Sequence, residues 1–169
     1  LKNASVLCVG AGGIGSPALL YLAAAGIGRL GLIDFDGVDE SNLQRQILFN
    51  ESMIGQSKAK QAKAVLTKLN SQINIIDCTE KLTSENAIEM IGNYDYVLDG
   101  SDNYLTRYLV NDACVAKGKP LISASVFQFS GQIALLNRQN SACYRCLYPS
   151  PPPAAMIPNC SESGVLGIV

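Results

Sequence analysis

The chain has 169 residues, 48% of them apolar and 16% charged, which suits a single domain with a substantial core. Thirteen basic and 14 acidic residues leave a net charge of −1, which excludes a general polyanion-binding field and with it nucleic acid as the main partner. No apolar run reaches spanning length and no signal-peptide pattern is present, so a membrane role is not expected. The absence of histidine removes the commonest general base and the commonest metal ligand.

The first element is an apolar strand over 6–9 that runs into Gly10-Ala11-Gly12-Gly13-Ile14-Gly15. A helix is expected over 16–25 and a second apolar strand over 30–33, closing on Asp34 and Asp36. Strand, glycine turn, helix, strand and acid together form a nucleotide-binding pattern. Glycines let backbone N–H groups reach phosphate oxygens, and the helix aims its positive end at the same place. An acid about 20 residues on can hold ribose hydroxyls. A tight turn packed closely against a helix would use the same glycines, but it needs no acid at the tip of the next strand.

A polar stretch over 37–46 follows, and then a Lys-rich helix over 56–69. A third strand is expected over 73–79, and a short helix over 85–91 with Ser84 as its cap. The fourth strand, 94–98, also ends on an acid, Asp99, ahead of Ser101-Asp102-Asn103. A long helix over 103–117 stops at Gly118 and Pro120. A fifth strand over 121–126 and a sixth over 132–136 are separated by a turn or bulge at Gly131. The remainder is loop-rich. This alternation predicts an α/β fold, a Rossmann-like doubly wound and mostly parallel sheet, with a loop-rich C-terminal zinc-knuckle segment. All of 1–169 is read as one nucleotide-binding domain, cut from something longer at both ends.

Chemistry-bearing residues collect at or just past the strand ends, where open α/β sheets bind ligands. They are Asp34 and Asp36, then Asn42, Arg45 and Gln46, then Lys58, then Asp102 and Asn103. Arg45 and Lys58 could clamp phosphates, one as a fork and the other as a point charge. Asp102 suits magnesium, which takes hard oxygen ligands and keeps phosphates in its shell. A nicotinamide-dependent oxidoreductase would use the same glycine string. It would lack a histidine proton donor here, and it has no use for Lys58 and Asp102.

Cys8 and Cys78 fall in expected strands and Cys114 on an expected helix, as packed core thiols. Cys143 and Cys146 alone have ligand spacing, half of a tetrahedral zinc site whose second pair would lie beyond Val169. A redox dithiol or two plain core cysteines are the alternatives. Nothing suggests a secreted disulfide framework, and a cytoplasmic, reducing compartment fits.

On Gly10-Ala-Gly-Gly-Ile-Gly15, Asp34-Phe-Asp36, Ser41-Asn42-Leu43-Gln44-Arg45-Gln46, Gly55-Gln-Ser-Lys58, Leu98-Asp-Gly-Ser-Asp102-Asn103 and Cys143-Tyr-Arg-Cys146, the chain resembles the MoeB/ThiF family. These are adenylating enzymes related to ubiquitin-activating enzymes. The resemblance implies ATP on the glycine loop with Gly13 at the phosphates, Asp34 at the ribose, Asn42, Arg45 and Lys58 on the phosphates, and magnesium on Asp102. It implies a second substrate, a ubiquitin-like sulfur carrier with a Gly-Gly tail, whose carboxylate attacks the α-phosphorus. A homodimer, and a cysteine desulfurase or sulfurtransferase supplying sulfur, belong to the same picture. Cys160 falls where relatives carry a cysteine that takes over the acyl group or assists sulfur transfer. A non-catalytic partner subunit of an activating complex is the alternative class, and the intact glycine loop, Arg45, Lys58 and Asp102 count against it.

Overall fold

The computed structural model describes residues 1–139 and 141–152. The elements, in order, are β1 (Ser5–Val9), α1 (Gly15–Ala24), β2 (Arg29–Ile33), α2 (Lys58–Leu69), β3 (Asn74–Cys78), α3 (Ala87–Gly92), β4 (Tyr96–Asp99), α4 (Tyr104–Lys117), β5 (Leu121–Phe127), β6 (Ser130–Leu136) and α5 (Tyr144–Leu147). They form a six-stranded sheet in the order β3-β2-β1-β4-β5-β6. Every neighbouring pair is parallel except β5 with β6. This is the doubly wound order, and its strand sequence reverses between β1 and β4.

The central strand shows why the sheet has two covered faces. Val6 and Cys8 point into one apolar layer with Leu19, Ala23, Ala59, Ala62 and Leu66 of α1 and α2. Leu7 and Val9 point into the other, with Ala87 and Ile91 of α3 and Tyr108, Val110 and Cys114 of α4. A strand buried on both sides must be apolar at every position, which is why 6–9 is a continuous run. Burial pushes the Cys8 thiol far up and the Cys114 thiol up to about 12, so both are inert core groups as expected.

Three local expectations are corrected. Ser84 does not cap α3: its hydroxyl donates to Glu85, and Asn86 occupies the N-cap position, its side chain accepting from the Thr83 N–H instead. Gly131 is neither turn nor bulge. It sits in register opposite Val126, and the hairpin reverses at Gln128, which takes a left-handed φ of 53°. Tyr94 lies ahead of β4 rather than in it, its ring against Gly31, where a Cβ would fall 2.3 Å from the phenol oxygen. At the far end of α4, Gly118 takes φ 60° and closes the helix as the sequence anticipates. The C-x-x-C knuckle forms the short helix α5. The proline-rich remainder from 153 on, including Cys160, lies outside the described residues. Among the described residues no helix is long and apolar enough to cross a membrane.

Candidate functional site: the glycine loop at the strand switch

The site grows from the β1–α1 turn. Gly10 takes φ 89°, which admits glycine far more readily than other residues. It donates its N–H to the Ile33 carbonyl at 2.8 Å, while Gly100 donates to Val9 at 3.0 Å, so the loop emerges between β2 and β4. A Cβ on Gly15 would lie 1.9 Å from the Gly10 carbonyl oxygen, so only glycine lets α1 turn so close to β1. Gly12 and Gly13 serve differently. Their missing Cβ atoms would face the Gln46 amide nitrogen at 3.7 Å and the Arg45 side chain at 3.4 Å. The bare backbone and the first-turn N–H groups of α1 are thus presented to the same space as Arg45.

Two buried acids fix the turns on either side of β1, Asp34 the glycine loop and Asp99 the turn after β4. Asp34, only 8% exposed, accepts the Ala11 N–H at 2.8 Å and the Asp36 N–H at 2.9 Å. Asp99, at the end of β4, accepts the Ser101 N–H at 2.9 Å. Burial raises the pKa of both carboxyls against those hydrogen bonds. Sequence reasoning placed Asp34 at a ribose. The structure gives it a prior task, tethering the glycine loop, and leaves Asp36 as the exposed acid at this edge. The sequence marks Asp99 only as the acid that closes the fourth strand. Its signal was available, since an acid inside an apolar strand needs a partner.

The segment after β2 is pinned by its apolar residues. Leu43 packs on the core and Leu48 and Phe49 are buried, so Leu43 contributes packing rather than a polar contact, while Ser41 and Gln44 are exposed. Asn42 accepts from Gln46 Nε2 at 3.0 Å, and Gln46 is 3% exposed with its Oε1 unpartnered among the described residues. Arg45 donates to the Ser41 carbonyl at 3.3 Å as it lies over Gly13.

Lys58, which the sequence offers as a point charge for phosphates, is buried, with its ammonium 3.4 Å from the Asp36 carboxylate and its N–H donated to the Asp36 carbonyl. Asp36 therefore holds Lys58 at the edge of the loop. Across the switch point Asp102 is exposed, and Asn103 caps α4 by accepting the Thr106 N–H. Arg107 reaches back from α4 to the Ser101 carbonyl at 3.0 Å, a contact the sequence did not suggest.

Cys143 and Cys146 stand apart from this loop. Their sulfurs are 3.6 Å apart on either side of Tyr144 and Arg145. Burial alone would raise the Cys143 thiol, but hydrogen bonds from the Cys146 backbone and thiol and from the Arg145 backbone leave it below its ordinary value.

Residues 1–169 match the ThiF family throughout. The chain belongs to the ThiF family. Among its relatives, the Anopheles gambiae protein named adenylyltransferase and sulfurtransferase MOCS3 is 52% identical over 169 residues, covering 100% of this chain and 38% of that protein. The MOCS3 of Drosophila yakuba is 54% identical over the same span, 37% of its length. This ThiF-family chain therefore spans well under half of the curated relatives it matches. Among solved structures, E. coli MccB with ATP is 32% identical, covers 86% of this chain and 44% of that one, and superposes with a TM-score of 0.79.

The ThiF-family chain's own residues fit a nucleoside triphosphate. The bare Gly12–Gly13 backbone beneath Arg45 is a cradle that a Cβ would fill. For metals the fit is partial. Among the described residues no group of three or more acidic or thiol side chains is placed to hold an ion. Magnesium ordinarily completes its shell with phosphates and water, so one exposed carboxylate such as Asp102 would be enough to hold it. Two thiolates around one tetrahedral zinc, at Zn–S distances of about 2.3 Å, stand about 3.8 Å apart. The observed 3.6 Å is a direct thiol–thiol contact, near that separation and far from a disulfide, at about 2.0 Å.

Proposed function

We propose that this chain is the adenylation domain of an enzyme that activates the C-terminal glycine carboxylate of a ubiquitin-like sulfur carrier with ATP. The observation that carries the reading is Arg45 laid over Gly13 at the N-terminus of α1, with Lys58 held beside the loop by Asp36. Family membership and the adenylyltransferase names of the MOCS3 relatives support it, as does the likeness to MccB solved with ATP.

In this reading the phosphates rest on the Gly12–Gly13 backbone. The guanidinium of Arg45 gathers their oxygens, Lys58 adds a second positive charge, and Asn42 donates to them. Asp34 meets the ribose, with the exposed Asp36 beside it while it holds Lys58. The carrier's terminal carboxylate oxygen forms a bond to the α-phosphorus, the bond to the β-bridging oxygen breaks, and pyrophosphate leaves with that electron pair. The product is an acyl adenylate. A carboxylate is already ionised at neutral pH, so no general base is required, which suits a chain without histidine. Catalysis then rests on alignment and on charge neutralisation. Magnesium held by Asp102 would supply further neutralisation on the phosphates.

The test is pyrophosphate exchange into ATP by the full-length protein. Exchange dependent on a Gly-Gly-tailed carrier is the expected result. Nucleotide binding without exchange would instead mark a non-catalytic partner subunit.

A further inference from the structure

We infer that α4 pre-assembles the Cys143–Cys146 pair as a metal half-site, with Asn111 and Asp112 as its positioning residues. The inference rests on reading that pair as zinc ligands and is independent of the adenylation chemistry. Both residues between the two cysteines are tied to α4. The Tyr144 N–H donates to the Oδ1 of Asn111, which is 1% exposed, at 2.7 Å. Arg145 donates from Nε and Nη2 to the two carboxylate oxygens of Asp112, each at 2.7 Å. Asn111 Nδ2 in turn donates to Asp112 at 3.1 Å, so the two anchors are one network.

Aromatic contacts complete the seat. The Arg145 guanidinium lies 4.7 Å over the Tyr108 ring, and Tyr108 packs edge-on to Tyr144 with ring centres 5.3 Å apart. Tyr108 also donates its hydroxyl to the Tyr148 carbonyl at 2.8 Å, fixing the chain just past Cys146. A C-x-x-C segment of four residues has too few backbone bonds of its own to hold two sulfurs at one distance. Here the Asn111 and Asp112 side chains of α4 do so, with the two sulfurs in direct contact at 3.6 Å, close to the separation of about 3.8 Å around one tetrahedral ion. The arrangement also assigns Arg145 and Asp112, which otherwise look like a surface ion pair of little consequence.

The experiment measures zinc affinity of the full-length protein by competition with a chromophoric chelator, for the unaltered protein and for Asn111→Ala, Asp112→Ala and Asp112→Glu. Residues that orient metal ligands typically change affinity by about 10–100-fold. Asn111→Ala should weaken zinc binding by that factor, Asp112→Ala by about 10-fold, and Asp112→Glu by less because it keeps a carboxylate for Arg145. Far-UV circular dichroism of the zinc-free forms checks folding. If Asn111→Ala does not fold, Asp112→Ala decides, since that side chain is 47% exposed and supports no core. Zinc affinity unchanged in the folded variants overturns the proposal. So does zinc content that survives Cys143→Ser, because the pair is then not a metal half-site. Pyrophosphate exchange is a separate readout, so its failure leaves this result standing.

Discussion

Neighbouring glycines in the loop do different work, and substitution separates them. A Cβ on Gly15 meets the Gly10 carbonyl oxygen at 1.9 Å, backbone against backbone, with nothing able to swing aside. Gly15→Ala should destabilise the fold by about 1–3 kcal/mol or more, read by urea unfolding. A Cβ on Gly12 meets nothing closer than 3.7 Å. Gly12→Ala should therefore leave unfolding nearly unchanged and weaken ATP binding, measured by calorimetry. Asp34 can be tested in the same terms. If it only met a ribose, Asp34→Ala would leave the nucleotide-free protein as stable as before. Because Asp34 satisfies the buried Ala11 N–H, the variant should lose about 1–3 kcal/mol in the absence of ATP.

At the level of elements, β2 and β4 each end on a buried acid: Asp34 holds the loop from β1, and Asp99 holds the turn that follows β4. Burial raises the pKa of Asp99 above its unfolded value. The folded state then holds the proton more tightly than the unfolded one. Its contribution is most favourable below about 3.9, the unfolded value, and stability is lost as pH rises from there through the raised folded pKa. Asp99→Asn keeps an acceptor for the Ser101 N–H and has no charge to bury. Urea unfolding between pH 4 and pH 8 should show a shallower loss of stability with rising pH than in the unaltered chain. An unchanged slope would mean that the acid contributes nothing to it. The link from β2 to α2 is equally specific: Asp36 meets Lys58 through both backbone and side chain. Lys58→Met should keep the fold, since its stem is already buried, and lower pyrophosphate exchange by about 100-fold through loss of charge at the phosphates.

For the whole molecule, the winding order sets segments far apart in sequence on either side of the switch point. Arg45 and Lys58 follow β2 and Asp102 follows β4, the two strands that flank β1, and the proposed nucleotide would bridge them there. α4 runs from the Asn103 cap, beside Asp102, to the anchors of the cysteine pair, so one helix serves both the nucleotide loop and the knuckle. Asp102→Ala should abolish pyrophosphate exchange without changing thermal unfolding, because an exposed residue ahead of α4 supports no core. Exchange at the unaltered rate would remove Asp102 from the chemistry.

Sequence alone determined what depends on local pattern. The apolar run at 6–9, the glycine string and the acid beyond the next strand can be read without coordinates, because backbone sterics and double-sided burial demand those residues. The doubly wound architecture and the identity of the loop residues follow from the same pattern, as does the C-x-x-C spacing. Only the tertiary structure decided which partners the polar groups take. Lys58 reads as a point charge for phosphates, and only the fold, through the bridge from Gly37 to Ser57, shows it buried and paired with Asp36. Asp34 reads as a ribose ligand, and only β2 laid beside β1 shows that its carboxylate also holds the Ala11 N–H. Asn111, Asp112 and Arg145 read as ordinary helix and loop residues, separated by about thirty positions, until α5 lies on α4. Periodicity reports which face of an element is buried, whereas the pairing of charges across elements depends on distances that no local pattern encodes.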